Sequence, residues 1–174
     1  MTMDEIEVKL KYKNKKAVIS ALKKSGFIYR KTRTIKDIYF SKDGISMSNK
    51  NRLIRVRNVK GEYAELTLKD RLRDTKGVWT RRELNVKILE AEKMSDLLLA
   101  LGYKKIKKNL SVREIWKKKQ TKVEFISYIA PAKLEFMEIE SDRDNNINKL
   151  VEYLGNTVTC SGEELFAVFD KITS

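Results

Sequence analysis

The sequence contains no histidine, one cysteine and one proline among its 174 residues. A lone Cys160 excludes an intramolecular disulfide, and zinc sites need several clustered cysteine or histidine ligands that this chain lacks. A serine or cysteine nucleophile activated by histidine is excluded for the same reason. The chemistry of any active site must therefore come from carboxylates, lysines, arginines, hydroxyls and amides.

Long apolar runs and flexible linkers are also missing from the sequence. No stretch approaches the roughly 18 apolar residues of a membrane span, and the acidic start of the chain does not resemble a signal peptide. Seven glycines and the single Pro131 do not form a linker rich in proline and glycine. We therefore expect one domain over residues 1–174 in a cytoplasmic protein.

Positive charge is in excess, with 38 lysines and arginines against 24 acidic residues and a net charge of +14. Such a chain attracts polyanions, which include nucleic acid, anionic membranes, nucleotides and polyphosphate. The runs Lys104–Lys108 and Lys117–Lys119 are typical of a solvated surface. Charge alone does not choose among these partners, and the basic surface does not require nucleic acid.

Four helices are predicted from apolar spacing and capping residues. The second of them carries an apolar stripe of Met94, Leu97, Leu98 and Leu101. Each helix has a capping signal, either a glycine at its end or a serine or asparagine at its start. The predicted ranges are Asn14 to Gly26, Ala91 to Leu101, Asp144 to Leu154 and Ser161 to Ile172.

Between the helices, charged residues alternate with apolar ones. Such alternation is typical of β-strands, because successive side chains point to opposite faces of a sheet. Most of these strands would present one charged face. The segments are Met3 to Leu10, Leu53 to Val59, Tyr63 to Lys69, Thr80 to Val86, Ser111 to Ile115 and Phe136 to Glu140.

The signs of these charges follow a pattern. Glu5 and Glu7 form one acidic pair and Glu138 and Glu140 another, while Arg55 pairs with Arg57 between them. If the charged faces converge, the carboxylates repel unless a cation lies among them, and the arginines need an anion. A hard cation such as Mg²⁺ or Mn²⁺ carrying a phosphate chain satisfies both groups.

These segments, in this order, resemble the CYTH superfamily of triphosphate tunnel metalloenzymes. That superfamily includes thiamine triphosphatases, inorganic triphosphatases and class IV adenylyl cyclases. The resemblance extends over roughly residues 3 to 172. It rests on ExExK at 5–9, DxYF at 37–40, RxR at 55–57, TxK at 67–69, RxE at 81–83, RxxW at 113–116 and ExE at 138–140.

The resemblance implies an α+β fold, a closed antiparallel β-barrel of about eight strands with helices packed outside. It also implies a site for Mg²⁺ or Mn²⁺, with two metal ions, inside this tunnel. The implied metal ligands are Glu5, Glu7, Glu138 and Glu140. The implied triphosphate-binding residues are Lys9, Arg55, Arg57, Lys69, Arg81 and Arg113, and the implied catalytic residues are Glu83, Lys9, Arg55 and Arg57. Glu83 would contribute either to a second metal site or to positioning of a water.

The sequence departs from the family pattern at three positions. Asn85 replaces a second acid after RxE, and Ser111 replaces a lysine before Arg113. The aspartate usual in the strand before Glu138 is missing. When the family motif is aligned with this strand, Ser127 or Tyr128 stands at the position of the aspartate. Glu124 lies in the same strand and would replace the aspartate only if the register of the strand differs from that alignment. For Trp116, packing in the core is the favoured interpretation.

Three functions are compatible with the sequence. The first is hydrolysis of the terminal phosphate of inorganic triphosphate, with weaker activity on nucleoside triphosphates. The second is a class IV adenylyl cyclase that makes cAMP from ATP. The third is a non-catalytic module that binds polyphosphate or RNA ends. We favour the first, with a small triphosphate as the partner, no membrane, and a monomer or homodimer as the assembly.

Overall fold

The structure is a computed structural model that describes residues 3–42, 52–75 and 78–160. Within these ranges the chain forms nine β-strands and three α-helices. The strands are β1 (Met3–Tyr12), β2 (Ile28–Ser41), β3 (Arg52–Val59), β4 (Tyr63–Thr75), β5 (Val78–Ile88), β6 (Lys104–Lys118), β7 (Thr121–Ala130), β8 (Leu134–Ser141) and β9 (Val158–Cys160). The helices are α1 (Lys15–Lys24), α2 (Ala91–Ala100) and α3 (Asp144–Leu154).

The strands form one antiparallel sheet in the order β5-β4-β3-β2-β6-β7-β8-β1-β9. In addition, β1 pairs with β5 from Met3 opposite Glu83 to Val8 opposite Val78. The expected α+β class and antiparallel sheet are thereby confirmed, with the short β9 as an addition. Closure of the sheet into a barrel stays a prediction.

The first helix begins and ends where its capping residues predict. The side-chain oxygen Oδ1 of Asn14 accepts a hydrogen bond of 3.2 Å from the backbone N–H of Ala17. At the other end Gly26 adopts φ +88°, a left-handed conformation that favours glycine. Val18 and Leu22 are buried, which fixes this helix on the sheet.

The larger core lies between the sheet and the helices α1 and α3. The outward-facing residues of β1, β7 and β8 meet the buried side of both helices. Trp116 belongs to this core, and its indole N–H donates to Glu114 at 2.8 Å, so the packing interpretation of this residue is supported. The core consists of Val8, Leu10, Val18, Leu22, Phe27, Trp116, Val123, Phe125, Met137, Ile139, Ile147, Leu150, Leu154 and Val158.

The second helix packs on β3 and β4 through a narrower face than expected. Leu98 is buried with Phe40 and Val56, and Met94 packs beside them. Leu97 and Leu101, however, are 51% and 61% exposed. The predicted apolar stripe is therefore wrong for Leu97 and Leu101. The helix contacts the sheet through Met94 and Leu98, and the residue three positions after each of them points to the side of this contact.

The fourth predicted helix, Ser161 to Ile172, lies outside the described residues. Among the helices that the structure describes, none is long and apolar enough to cross a membrane.

Candidate active site

The face of the sheet opposite these cores carries ionisable and polar side chains, and we call it the charged face. It arises from strand alternation, since the apolar neighbours of these residues occupy the cores. Residues of the charged face that contribute to the site are Glu7, Lys9, Asp37, Tyr39, Arg55, Arg57, Glu65, Thr67, Glu83, Asn85, Asn109, Ser111, Arg113, Lys122, Glu124, Tyr128, Glu138 and Glu140.

Three neighbouring strands bring four carboxylates and two lysines together. In one row of the sheet Lys122 of β7 stands opposite Glu140 of β8, which stands opposite Glu7 of β1. In the next row Glu124 stands opposite Glu138, which stands opposite Lys9. We call these six residues the carboxylate block: Glu7, Lys9, Lys122, Glu124, Glu138 and Glu140.

Each lysine of the carboxylate block joins a neighbour on its own strand to one across the sheet. The Nζ atom of Lys9 lies 2.8 Å from Oε1 of Glu7 and 3.3 Å from Oε1 of Glu138. The Nζ atom of Lys122 lies 3.3 Å from Oε1 of Glu124 and also forms an ion pair with Glu140. The two lysines thus occupy opposite corners of the block.

Arg113 of β6 extends the ion-pair network to a fourth strand. Its Nη1 atom lies 2.8 Å from Glu124 Oε2 and 3.5 Å from Glu138 Oε2, and its Nη2 atom lies 3.9 Å from Asp37 Oδ2. Burial lowers the pKa of this guanidinium, but the charge of Glu124 and the other carboxylates raises it well above its usual value. Arg113 therefore stays charged at the centre of the site.

Asp37 and Arg57 form a forked ion pair between β2 and β3. The Nε and Nη2 atoms of Arg57 donate to the two carboxylate oxygens of Asp37 at 2.7 and 2.8 Å. Burial alone would raise the pKa of Asp37, yet the charge and hydrogen bonds of Arg57 hold it below its usual range. Burial also raises the pKa of the adjacent Tyr39 to about 12, so its hydroxyl stays neutral.

Arg55 is held less completely than Arg57. Its Nη2 atom donates to Thr67 Oγ1 at 3.0 Å and lies 3.6 Å from Glu65 Oε1. The Nε atoms of Arg55 and Arg113 are both buried and make no hydrogen bond within the described structure. Buried donors of this kind carry a free-energy cost unless a ligand or water accepts from them. Both arginines consequently have a donor to offer to an anion.

Glu83 lies on β5, on the far side of β1 from the carboxylate block. It is buried, and the side-chain amide of Asn85 donates to its Oε2 atom at 3.3 Å. On the backbone it stands opposite Met3 of β1 and Lys69 of β4. Asn85, which replaces an acid of the family pattern, thus supports the one carboxylate of this strand.

Three predicted site residues can be placed by backbone register alone. Glu5 of β1 stands opposite Arg81 of β5, and Lys69 of β4 stands opposite Glu83. Their side chains lie outside the part of the structure that is described. The roles of Glu5, Lys69 and Arg81 stay predictions.

The acidic residue of β7 on the charged face is Glu124. Its backbone stands directly opposite Glu138, whereas Ser127 stands opposite Glu135 and donates to that exposed side chain at 3.2 Å. Tyr128 is buried on the charged face, and burial raises its pKa well above the usual value. Alignment to the motif pointed to Ser127 or Tyr128, while the strand pairing favours the alternative, Glu124.

Sequence reasoning gave no role to several residues of the site. Lys122, Glu65 and Asn109 carried no motif signal, although each occupies an alternate position on a strand that could have been read from the pattern. Asp37 belonged to a motif, but its place beside Arg57 follows only from strand pairing. Asn109 is 1% exposed, and both polar atoms of its side chain lack a hydrogen-bond partner in the described structure.

The carboxylate oxygens of the carboxylate block suit a hard divalent cation, because they are the ligands that Mg²⁺ and Mn²⁺ prefer. Within the described residues, no three acidic side chains are arranged as a ready metal site. Lys9, Lys122 and Arg113 lie among them instead and supply the positive charge. The residues therefore fit the metal in chemical type, with their carboxylates engaged by internal cations.

Acidic and basic side chains therefore lie together on one face of an antiparallel sheet. The sequence profile of the CYTH domain family matches residues 3–155 of this chain, which therefore belongs to that family.

Similar proteins agree with this placement. A Methanocaldococcus jannaschii protein, provisionally named an adenylate cyclase, is 35% identical over 116 residues, which is 67% of this chain and 65% of that protein. A Pyrococcus horikoshii structure has a TM-score of 0.76 at 21% identity, covering 94% of this chain and 98% of its own. A Hippeastrum structure, described as a provisional adenylyl cyclase with a dominant triphosphatase activity, has a TM-score of 0.73 at 19% identity, covering 96% and 95%. These structural likenesses show the fold.

Proposed function

We propose that this chain is a metal-dependent triphosphatase that hydrolyses the terminal phosphate of inorganic triphosphate, with weaker activity on nucleoside triphosphates. The observation that carries the proposal is the convergence of opposite charges on the charged face. Arg113 contacts both Glu124 and Glu138 there, beside two further arginines, so sites for a cation and for an anion adjoin. A chain of phosphates bound to a divalent cation matches this arrangement.

The anion side of the site consists of arginines, two of which have a buried N–H group without a hydrogen-bond partner in the described structure. The buried Nε atoms of Arg55 and Arg113 can each donate to a phosphate oxygen. Arg57 adds positive charge, although its fork is already engaged by Asp37. Lys9 pairs with Glu7 and Glu138 at one corner of the carboxylate block, and Lys69 and Arg81 stand on the neighbouring strands β4 and β5.

The proposal includes a tunnel enclosed by the sheet. Its support is the pairing of β1 with β5, because β5 is the first strand of the sheet order and β1 pairs with it as well as with β8. This pairing joins the first strand of the order to β1, the strand next to β9 at the other end, and supports a sheet that closes on itself. In such a ring the charged face would line the interior, where low dielectric strengthens each contact with a phosphate.

The proposed mechanism needs little from the protein beyond positioning and charge. Arg55, Arg57 and Arg113 would hold the phosphate chain extended, so that the terminal phosphorus faces Glu83. Glu83 would orient a water and accept its proton as the bond to the bridging oxygen breaks, which releases phosphate and pyrophosphate. When bound, Mg²⁺ or Mn²⁺ would neutralise the phosphate charge. Glu7, Glu138 and Glu140, with Glu5, would hold that ion.

A second candidate function is cyclisation of ATP to cAMP. It is favoured by the name of the Methanocaldococcus jannaschii relative, of which this chain spans 65%. Cyclisation would require a pocket for adenosine and a base for the 3′ hydroxyl. The charged face suffices for inorganic triphosphate without either, and we therefore rank the triphosphatase first.

Phosphate release from inorganic triphosphate, ATP and thiamine triphosphate with Mg²⁺ or Mn²⁺ tests the proposal, with cAMP measured in the ATP reactions. We expect metal-dependent release that is fastest with inorganic triphosphate. Glu138→Gln should lower it by at least about 100-fold, because it removes a metal-binding oxygen. Glu135→Gln, an exposed change on the same strand, should leave it unchanged.

The other outcomes lead to the other candidate functions. Production of cAMP as the main product would replace the triphosphatase by a cyclase. Absence of turnover, with tight binding of polyphosphate that survives Glu138→Gln, would indicate a binding module.

A further inference from the structure

We propose that Lys122 is a tethered cation that occupies one of the two cation positions among the carboxylates, so that the site takes a single divalent metal ion. The resemblance to the family implies two metal ions and gives no role to this lysine. The inference rests on the proposed function, in that it concerns the metal site of the proposed triphosphatase.

The position of Lys122 mirrors that of Lys9. Lys9 stands at one corner of the carboxylate block and joins Glu7 to Glu138. Lys122 stands at the opposite corner and joins Glu140 to Glu124. Each of the four carboxylates therefore has a lysine partner, and the two lysines divide the acids into two pairs.

The charges of the block leave room for one divalent ion. Its four carboxylates face two lysines and Arg113, which together leave one negative charge. One divalent ion would bring this group to a single positive charge, and a second would bring it to three. Like charges at this separation in a partly buried site cost several kcal/mol. Without Lys122 the group would carry two negative charges, so one divalent ion would neutralise it and a second would bring it to two positive charges rather than three.

Burial of Glu124 favours a cation that stays beside it. The Glu124 side chain is 10% exposed and that of Lys122 is 27% exposed. A carboxylate so shielded requires a counter-charge. Two cations supply it, since Nζ of Lys122 lies 3.3 Å from Oε1 of Glu124 and Nη1 of Arg113 lies 2.8 Å from its Oε2. Glu124 and Lys122 thus form a unit that persists when a metal ion binds elsewhere in the block.

The arrangement of the acids agrees with this assignment. The described residues contain no three acidic side chains that already converge on one point, although four of them share the block. Lys122 takes the space between Glu124 and Glu140, and the remaining acids, Glu7 and Glu138, are nearest to Lys9. A divalent ion would compete with Lys9 for Glu7 and Glu138 and with Lys122 for Glu140, and it would leave the pair of Lys122 and Glu124 in place.

The test is a titration of the substrate-free protein with Mn²⁺, in which free Mn²⁺ is followed by electron paramagnetic resonance. Wild type should bind one Mn²⁺ per chain, and Lys122→Met should bind two. Lys122→Arg keeps the charge and should bind one. Lys117→Met removes a charge at the cross-strand neighbour of Lys122 and should also bind one. Thermal unfolding of each variant checks that it is folded.

The results that would overturn the inference differ from those that would overturn the proposed function. Two Mn²⁺ ions in wild type, or one in Lys122→Met with unchanged affinity, would remove the role of Lys122 and leave the triphosphatase intact. Absence of Mn²⁺ binding in both, together with absence of phosphate release, would remove the metal-dependent triphosphatase itself.

Discussion

The Nη1 atom of Arg113 lies 2.8 Å from Oε2 of Glu124, and this ion pair joins β6 to β7 on the charged face. Both side chains are at least nine-tenths buried. The pair connects the anion side of the site, which consists of arginines, to the carboxylate block. It also places Glu124 of β7 on the charged face, opposite Glu138.

Replacement of Glu124 by glutamine should destabilise the protein. The change leaves Arg113 and Lys122 without their shared counter-charge in a shielded site, and breaking such a pair costs about 3–5 kcal/mol of unfolding free energy. Urea denaturation at pH 7 measures it. Glu135→Gln is the control, since the exposed Glu135 lies on the adjoining strand and should change stability by under about 1 kcal/mol. Equal effects of the two changes would contradict the assignment.

Stability should fall in acid through Asp37. Because Arg57 holds its pKa below the usual value in the folded protein, Asp37 stabilises the fold above its unfolded pKa of about 4, and this contribution is lost as the pH falls below that value. Asp37→Asn should therefore be less stable than wild type by about 3–5 kcal/mol at pH 7. The difference should shrink towards pH 2.

Urea denaturation of both proteins from pH 7 to pH 2 measures this dependence. Glu62→Gln serves as the control, because Glu62 also pairs with an arginine, Arg33, but on the surface. Two stability curves that stay parallel over the whole range would show that the charge of Asp37 is not responsible.

Replacement of Asn109 by leucine should stabilise the protein and weaken its binding of substrate. Both polar atoms of its buried amide lack a partner in the described structure. Asn109→Leu keeps a similar volume and removes that cost, so it should raise the unfolding free energy by about 1–3 kcal/mol. Because Asn109 stands opposite Asp37 on the charged face, the same change should raise KM for inorganic triphosphate. Lower stability in the variant would mean that an ordered water satisfies the amide.

Strand alternation explains how much of the site the sequence could predict. The pairs Glu138/Glu140 and Arg55/Arg57 share faces because residues two apart on a strand always do, whatever the tertiary structure. Contacts across strands depend instead on register, which the pattern within a single strand does not give. The partners Glu124 and Glu138, and Lys122 and Glu140, therefore emerge only from the structure. Leu97 is exposed although its spacing predicts burial. The sheet beneath the helix decides how many helix residues are covered, and the helix pattern does not contain this information.

The exposed lysines of the run at 104–108 should affect nucleic-acid binding and leave hydrolysis alone. Lys104, Lys105 and Lys108 are exposed, whereas Lys107 stands opposite Tyr39 on the charged face and is kept in this design. The triple change of the exposed lysines to glutamine should weaken binding of single-stranded RNA and reduce the slope of affinity against salt by up to about 2, because fewer counterions are released. Fluorescence anisotropy at several salt concentrations measures this.

In the same triple variant, kcat and KM for inorganic triphosphate should equal those of wild type, since the three lysines are solvent-exposed. Arg55→Gln provides the opposite comparison, because it removes a buried donor of the site and should raise KM with little effect on RNA binding. A triple variant that loses hydrolysis in parallel with RNA binding would mean that both ligands use one surface. The exterior charge would then belong to the site rather than to a separate solvated face.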